Sequence, residues 1–166
     1  MISGPQAHLM LNHLPIAAFV FLSPILTYLL IAKRIELQKV ALIGLALASL
    51  LSLPAFWTGE PAEEGIEHRA GVSESLIEAH EEAAELALWF VLITGAGAAG
   101  VWIGARKSDR VLKRFLPPLL LLSWVSTGLL ARAGHEGGKI RHPEISGSPE
   151  TSPGTVGVKE EDGDDD

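Results

Sequence analysis

Cysteine is absent from this sequence, and tyrosine and methionine are nearly absent, with one and two residues. Without cysteine the chain has no disulfide, no thiolate zinc site, no iron–sulfur cluster and no covalently attached c-type haem. The ligands that remain for a metal or cofactor are His, Asp, Glu and Met, and any metal site is predicted to use nitrogen and oxygen atoms. Phosphate-binding loops and nucleophile elbows are also absent, so we predict no catalytic residue.

Negative charge is concentrated at one end of the chain. The net charge is −7, and residues 143–166 contain eight acidic residues against one lysine, which accounts for all of it. This stretch has no apolar face to bury, so it is predicted to be a disordered acidic tail. Residues 1–142 are neutral overall, and no basic surface suggests binding to nucleic acid.

Four apolar stretches dominate residues 1–142, at about 14–32, 39–57, 83–105 and 115–133. Each has about the 17–25 residues that cross the hydrocarbon core of a membrane as a helix. The stretches are apolar around their whole circumference, which a small soluble bundle could not cover. The sequence therefore predicts an all-α, integral membrane, four-helix up-down bundle in residues 1–142, with membrane lipid around it and both termini on one side.

The basic residues predict which side that is. Eight of them lie in the two short connectors, at 33–39 and 106–114, whereas the connector at 58–82 has only Arg69 against eight glutamates. Because loops rich in Lys and Arg stay in the cytoplasm, both termini and the acidic connector are predicted to lie outside.

All six histidines fall on the predicted outer side, at His8, His13, His68, His80, His135 and His142. His80 shares a helical stripe with Leu76, Ile77, Ala83, Ala84 and Ala87, which predicts that its side chain points into the bundle. Small alanines beside an inward histidine leave room for a cofactor. The competing interpretation is a hydrogen-bonded core histidine with no ligand.

The first functional hypothesis is b-type haem, held at the outer membrane surface and serving electron transfer. Its axial ligands would be His13 and His80, since the first and third helices of an up-down bundle are diagonal partners. His8, His135 and His142 are substitute ligands, and Arg69, Arg132 and Arg141 would pair with the haem propionates. The partner would be another membrane or periplasmic redox protein.

Two alternatives remain open. A non-haem divalent metal would draw its ligands from the histidines and one acidic residue of the outer segments, with Glu64 and His68 four residues apart: His8, His13, His68, His80, His142 and Glu64. The other alternative is a structural or assembly subunit of a larger membrane complex, whose acidic connector and tail bind a basic partner.

Several outer-side motifs resemble a bacterial membrane family known as domain of unknown function 2231. Residues 8–17 read HLMLNHLPIA, similar to that family's H-P-x-x-x-H-F-P-I-A, with Leu9 and Leu14 as departures. The similarity continues at TGEPAE (58–63), GVSE (71–74) leading to His80-Glu81, and GGKIRHPE (137–144). The resemblance implies a multi-pass protein of the bacterial cytoplasmic (inner) membrane, with periplasmic termini and its outer face as the working surface. It implies no particular activity.

Overall fold

Helices make up nearly all of the computed structural model, which describes residues 3–66 and 73–142. The five helices are α1 (Gly4–Ile31), α2 (Ile35–Trp57), the short α3 (Gly59–Glu64), α4 (Glu74–Ala105) and α5 (Asp109–Arg141). The described residues contain no strand. His68, Arg69 and the tail at 143–166 lie outside these residues, as does the predicted disorder of that tail.

The four long helices each contain one of the predicted apolar stretches and are long and apolar enough to cross a membrane. The all-helical prediction is therefore confirmed. The helices have 23 to 33 residues, whereas a hydrocarbon core needs about 20 residues at 1.5 Å each. The additional turns, including residues 4–13 of α1, extend past the apolar stretches.

Packing between neighbours arranges the long helices in a ring. Helix α1 lies against α2 and α5, and α4 lies against the same two helices, so α1 and α4 are diagonal to each other. The core between them contains large aliphatic and aromatic side chains from every long helix, such as Phe19, Leu45, Val91 and Leu116. Large apolar side chains such as Phe21 and Leu121 are exposed on the outside, as expected for a surface that faces lipid.

Buried hydroxyl groups join the helices at mid-bundle. Ser23 of α1 hydrogen-bonds Ser123 and Thr127 of α5, at 2.6 and 2.9 Å between the side-chain oxygens. Thr94 of α4 bonds Ser126 of α5 in the same way at 2.8 Å. Such pairs hold helices together where an apolar surround offers no other partner.

The two ends of the bundle differ in chemistry. We call one the histidine end: the start of α1, the end of α2, all of α3, the start of α4 and the end of α5. The other, the basic end, comprises residues 32–39 and 105–114. At the histidine end α3 packs on α1 so closely that a Cβ on Gly4 would overlap the carbonyl oxygen of Pro61.

Candidate metal site at the histidine end

His8 and His80 meet at the histidine end although their helices are diagonal. Their ring centres are 6.2 Å apart and the ring planes are nearly perpendicular, at 85°. Both residues are half-buried. Two imidazoles bound to one metal ion also have ring centres about 6 Å apart or closer, because each metal–nitrogen bond is about 2 Å long. The separation of the rings is thus suitable for one shared ion.

Backbone carbonyl groups orient both rings. His8 Nδ1 lies 3.0 Å from the carbonyl oxygen of Ala55 and 3.3 Å from Thr58 Oγ1. Ala55 is in the last turn of α2, where carbonyl groups have no partner inside the helix. His80 Nδ1 lies 2.9 Å from the carbonyl oxygen of Ala133 on α5.

These contacts determine the tautomer. A carbonyl oxygen only accepts hydrogen bonds, so the proton of each neutral ring must be on Nδ1. The lone pair is then on Nε2, which is the usual arrangement of a histidine that binds metal through one nitrogen and donates from the other. His8 and His80 are therefore prepared as Nε2 ligands.

The protonation of His8 favours the same role. His8 precedes the apolar part of α1, and burial together with the nearby His80 ring lowers its pKa below the ordinary value of 6.5, while the bond to Ala55 acts in the opposite direction. A lowered pKa keeps the imidazole neutral at neutral pH, and only the neutral ring binds metal.

Asn12 is one turn beyond His8 on the same face of α1. Its Oδ1 is buried and has no hydrogen-bond partner in the structure, and it is the one such side-chain atom among the described residues. A buried acceptor without a partner is costly, so it calls for an explanation. Sequence analysis did not select Asn12; its spacing of four residues from His8 was the available signal.

Two carboxyl groups at the histidine end interact with each other. A protonated carboxyl group of Glu63 on α3, beyond the apolar stretch of α2, would hydrogen-bond Glu81, the neighbour of His80 in sequence. That bond, and then burial and the charge of Glu81, raise the pKa of Glu63. Two carboxyl groups in contact share a proton or a cation, because like charges at this distance repel.

The other predicted ligands among the described residues form no metal-binding group with the pair. His13 is exposed, and its Nδ1 donates to the carbonyl oxygen of Leu9 in its own helix at 2.6 Å. The structure therefore brings His8, and not His13, against His80. Glu64, Arg132, His135 and His142 are also exposed. Within 3–66 and 73–142 no three His, Asp or Glu side chains come together as a metal-binding group.

The space around the rings suits an ion better than a haem. A haem would need a flat gap between the two rings that extends well beyond their edges. The backbone of Gly137 lies against His80, since a Cβ there would be 3.0 Å from its Cε1, and a Cβ on Gly59 would be 3.9 Å from Cε1 of His8. Backbone of α5 thus lies close to the edge of the His80 ring, where a haem would have to extend.

No family model, no curated protein and no solved structure matches this chain. The class of protein therefore rests on the fold alone: it is a helical bundle with four helices that are long and apolar enough to span a membrane.

Proposed function

We propose that this chain is a multi-pass membrane protein that binds one divalent transition-metal ion between His8 and His80, at the outer membrane surface. The observation that supports it is the contact of two imidazoles, 6.2 Å between centres, each with Nδ1 bonded to a backbone carbonyl. Imidazole nitrogen is a ligand for zinc, copper, iron and nickel. Asn12 Oδ1 is the third ligand in this proposal.

Two or three protein ligands leave coordination positions open on the ion. An open position is typical of a metal that reacts or exchanges ligands, whereas structural zinc has four protein ligands. With copper or iron bound, the site would support the electron transfer that the histidine placement predicts. A periplasmic or membrane redox protein is the partner in this proposal.

Metal titration of the purified, metal-stripped protein in mild detergent tests the proposal. We expect one Cu²⁺ or Zn²⁺ per chain, and at least tenfold weaker binding in His8→Ala and in His80→Ala, since each removes one of few ligands. His13→Ala and His135→Ala are matched controls from the same end and should bind like the parent. Equal losses in His13→Ala and His80→Ala would rule out the pair.

Two further readings separate the alternatives. If the reduced protein shows the absorption band of a b-type haem, the bound cofactor is haem and the proposal of a single metal ion is wrong. If His80→Ala lowers the melting temperature and the parent binds no metal, His80 is a structural residue. That result would favour the alternative of a structural or assembly subunit. Binding to the parent should weaken on acidification, because protons compete for Nε2.

A further inference from the structure

The basic end contains an open groove between the start of α2 and the end of α4. Its volume is about 570 Å³, and it is lined by Glu36, Lys39, Val40, Ile43, Trp102 and Arg106. The groove is at the opposite end of the bundle from the histidine site and shares no residue with it. What occupies it is thus a separate question from metal binding.

The wall of the groove is apolar and faces outward. Val40 is 62% exposed and Ile43 is 37% exposed. Both belong to the apolar part of α2, which would lie in hydrocarbon if the helices cross a membrane. Trp102 lies near the end of α4, at the level where aromatic residues are enriched at the boundary between hydrocarbon and headgroups. An acyl chain is the natural neighbour of such a wall.

Positive charge stands at the mouth of the groove. The Arg106 guanidinium lies over the Trp102 ring, with Cζ 5.2 Å from the ring centre. This stacking uses the face of the guanidinium and leaves its N–H groups free to bind a phosphate. No acidic side chain in the described part of the chain forms an ion pair with Arg106.

Lys39 of α2 lines the groove opposite α4. Its Nζ lies 3.0 Å from Glu36 and 3.2 Å from Asp109, so its charge is largely balanced and its position is fixed. The two connectors together have eight basic residues against these two acidic ones. The basic end as a whole thus has an excess of six positive charges, which attracts anionic lipid headgroups toward the groove.

We propose that this groove binds an anionic phospholipid, with the phosphate on Arg106 and the part of an acyl chain nearest the headgroup along Val40 and Ile43. The proposal requires the chain to lie in a bilayer and does not depend on the metal site. Arg114 offers a matched control, because its guanidinium also stacks on an aromatic ring, Phe115, at 5.6 Å, but it lies outside the groove.

Native mass spectrometry of the full chain, titrated with phosphatidylglycerol or with phosphatidylcholine of the same acyl chains, is the test. We expect phosphatidylglycerol to bind more tightly, and Arg106→Gln to weaken its binding about tenfold, as loss of one charge-assisted contact would. Arg114→Gln should bind like the parent. Thermal unfolding of both variants shows whether they remain equally folded.

Two results would overturn the proposal. Equal binding of the two lipids to the parent would mean that the headgroup is not recognised. An equal loss in Arg106→Gln and Arg114→Gln, with both proteins folded, would mean that the basic end attracts anionic lipid as a whole and that the groove is not a site.

Discussion

Gly137 and Gly138 are neighbours on α5 with opposite surroundings. A Cβ on Gly137 would stand 3.0 Å from Cε1 and 3.1 Å from Nδ1 of His80, whereas a Cβ on Gly138 would meet nothing within 4 Å. The absence of a side chain at Gly137 is thus what allows the His80 ring to reach Ala133. At Gly138 there is room for a side chain, so the glycine there is not needed for packing.

We therefore predict different results for the two alanine substitutions. Gly137→Ala should displace the His80 ring and weaken metal binding by about tenfold, because the ligand loses the orienting bond of its Nδ1. Gly138→Ala should leave binding unchanged and raise the free energy of unfolding by up to about 1 kcal/mol, the difference in helix propensity. Metal titration and thermal unfolding measure the two effects, and parent-like binding by Gly137→Ala would contradict the first.

The orientation of His80 could be predicted from the sequence, but its partner could not. The helical stripe predicted that His80 points inward, and its half-buried ring bonded to α5 agrees with that. The choice of His13 rested on its place beside the first apolar stretch, which begins at about residue 14. Because α1 begins at Gly4, His8 is already helical, and the five helical steps from His8 to His13 turn the two side chains about 140° apart.

Helix α4 packs on α2 through Gly95. A Cβ at this position would overlap the side chain of Ser49, whereas one on Gly100, five residues further along the same helix, would meet nothing within 4 Å. Ser49 itself is buried and its Oγ donates to the carbonyl oxygen of Leu45 in its own helix. The close approach of the two helices thus depends on Gly95.

We predict that Gly95→Ala destabilises the bundle by about 1–3 kcal/mol, the usual cost of overpacking a core. Gly100→Ala is the control and should be neutral or slightly stabilising. Unfolding of the detergent-solubilised variants by heat or denaturant gives the comparison. In the double variant Gly95→Ala, Ser49→Gly the overlap is removed, so its stability should exceed the sum of the two single effects; simple additivity would argue against this contact.

Helix positions could be predicted far better than helix ends. Hydrophobicity located all four long helices, because it reports where a chain avoids water. It does not report where hydrogen bonding stops: α1 begins at Gly4, well before its apolar stretch, and Pro117 and Pro118 lie inside α5. The cap of α4 is Ser73, and α4 begins at Glu74, well before the apolar stretch at 83–105.

At the scale of the whole molecule, the diagonal relation of α1 and α4 followed from connectivity alone. Connectors of three residues make α1 antiparallel to α2 and α4 antiparallel to α5, and two such hairpins close into a ring. Which side chains meet across the diagonal depends on helix rotation and on α3, whose packing against α1 no periodic pattern indicates. The sidedness of the bundle stays a prediction from charge.

Cysteine labelling can test that sidedness directly, since the natural chain has no cysteine to react. Glu60, on α3 at the histidine end, and Ser108, at the basic end, are both exposed. Eight basic residues near Ser108 predict that this end stays in the cytoplasm, so an impermeant thiol reagent on intact cells should label Glu60→Cys and not Ser108→Cys. Permeabilised cells, in which both positions should react, provide the control. The opposite pattern would place the histidine pair inside the cell and the Arg106 groove in the outer leaflet, and the metal proposed at His8 and His80 would then serve a cytoplasmic partner.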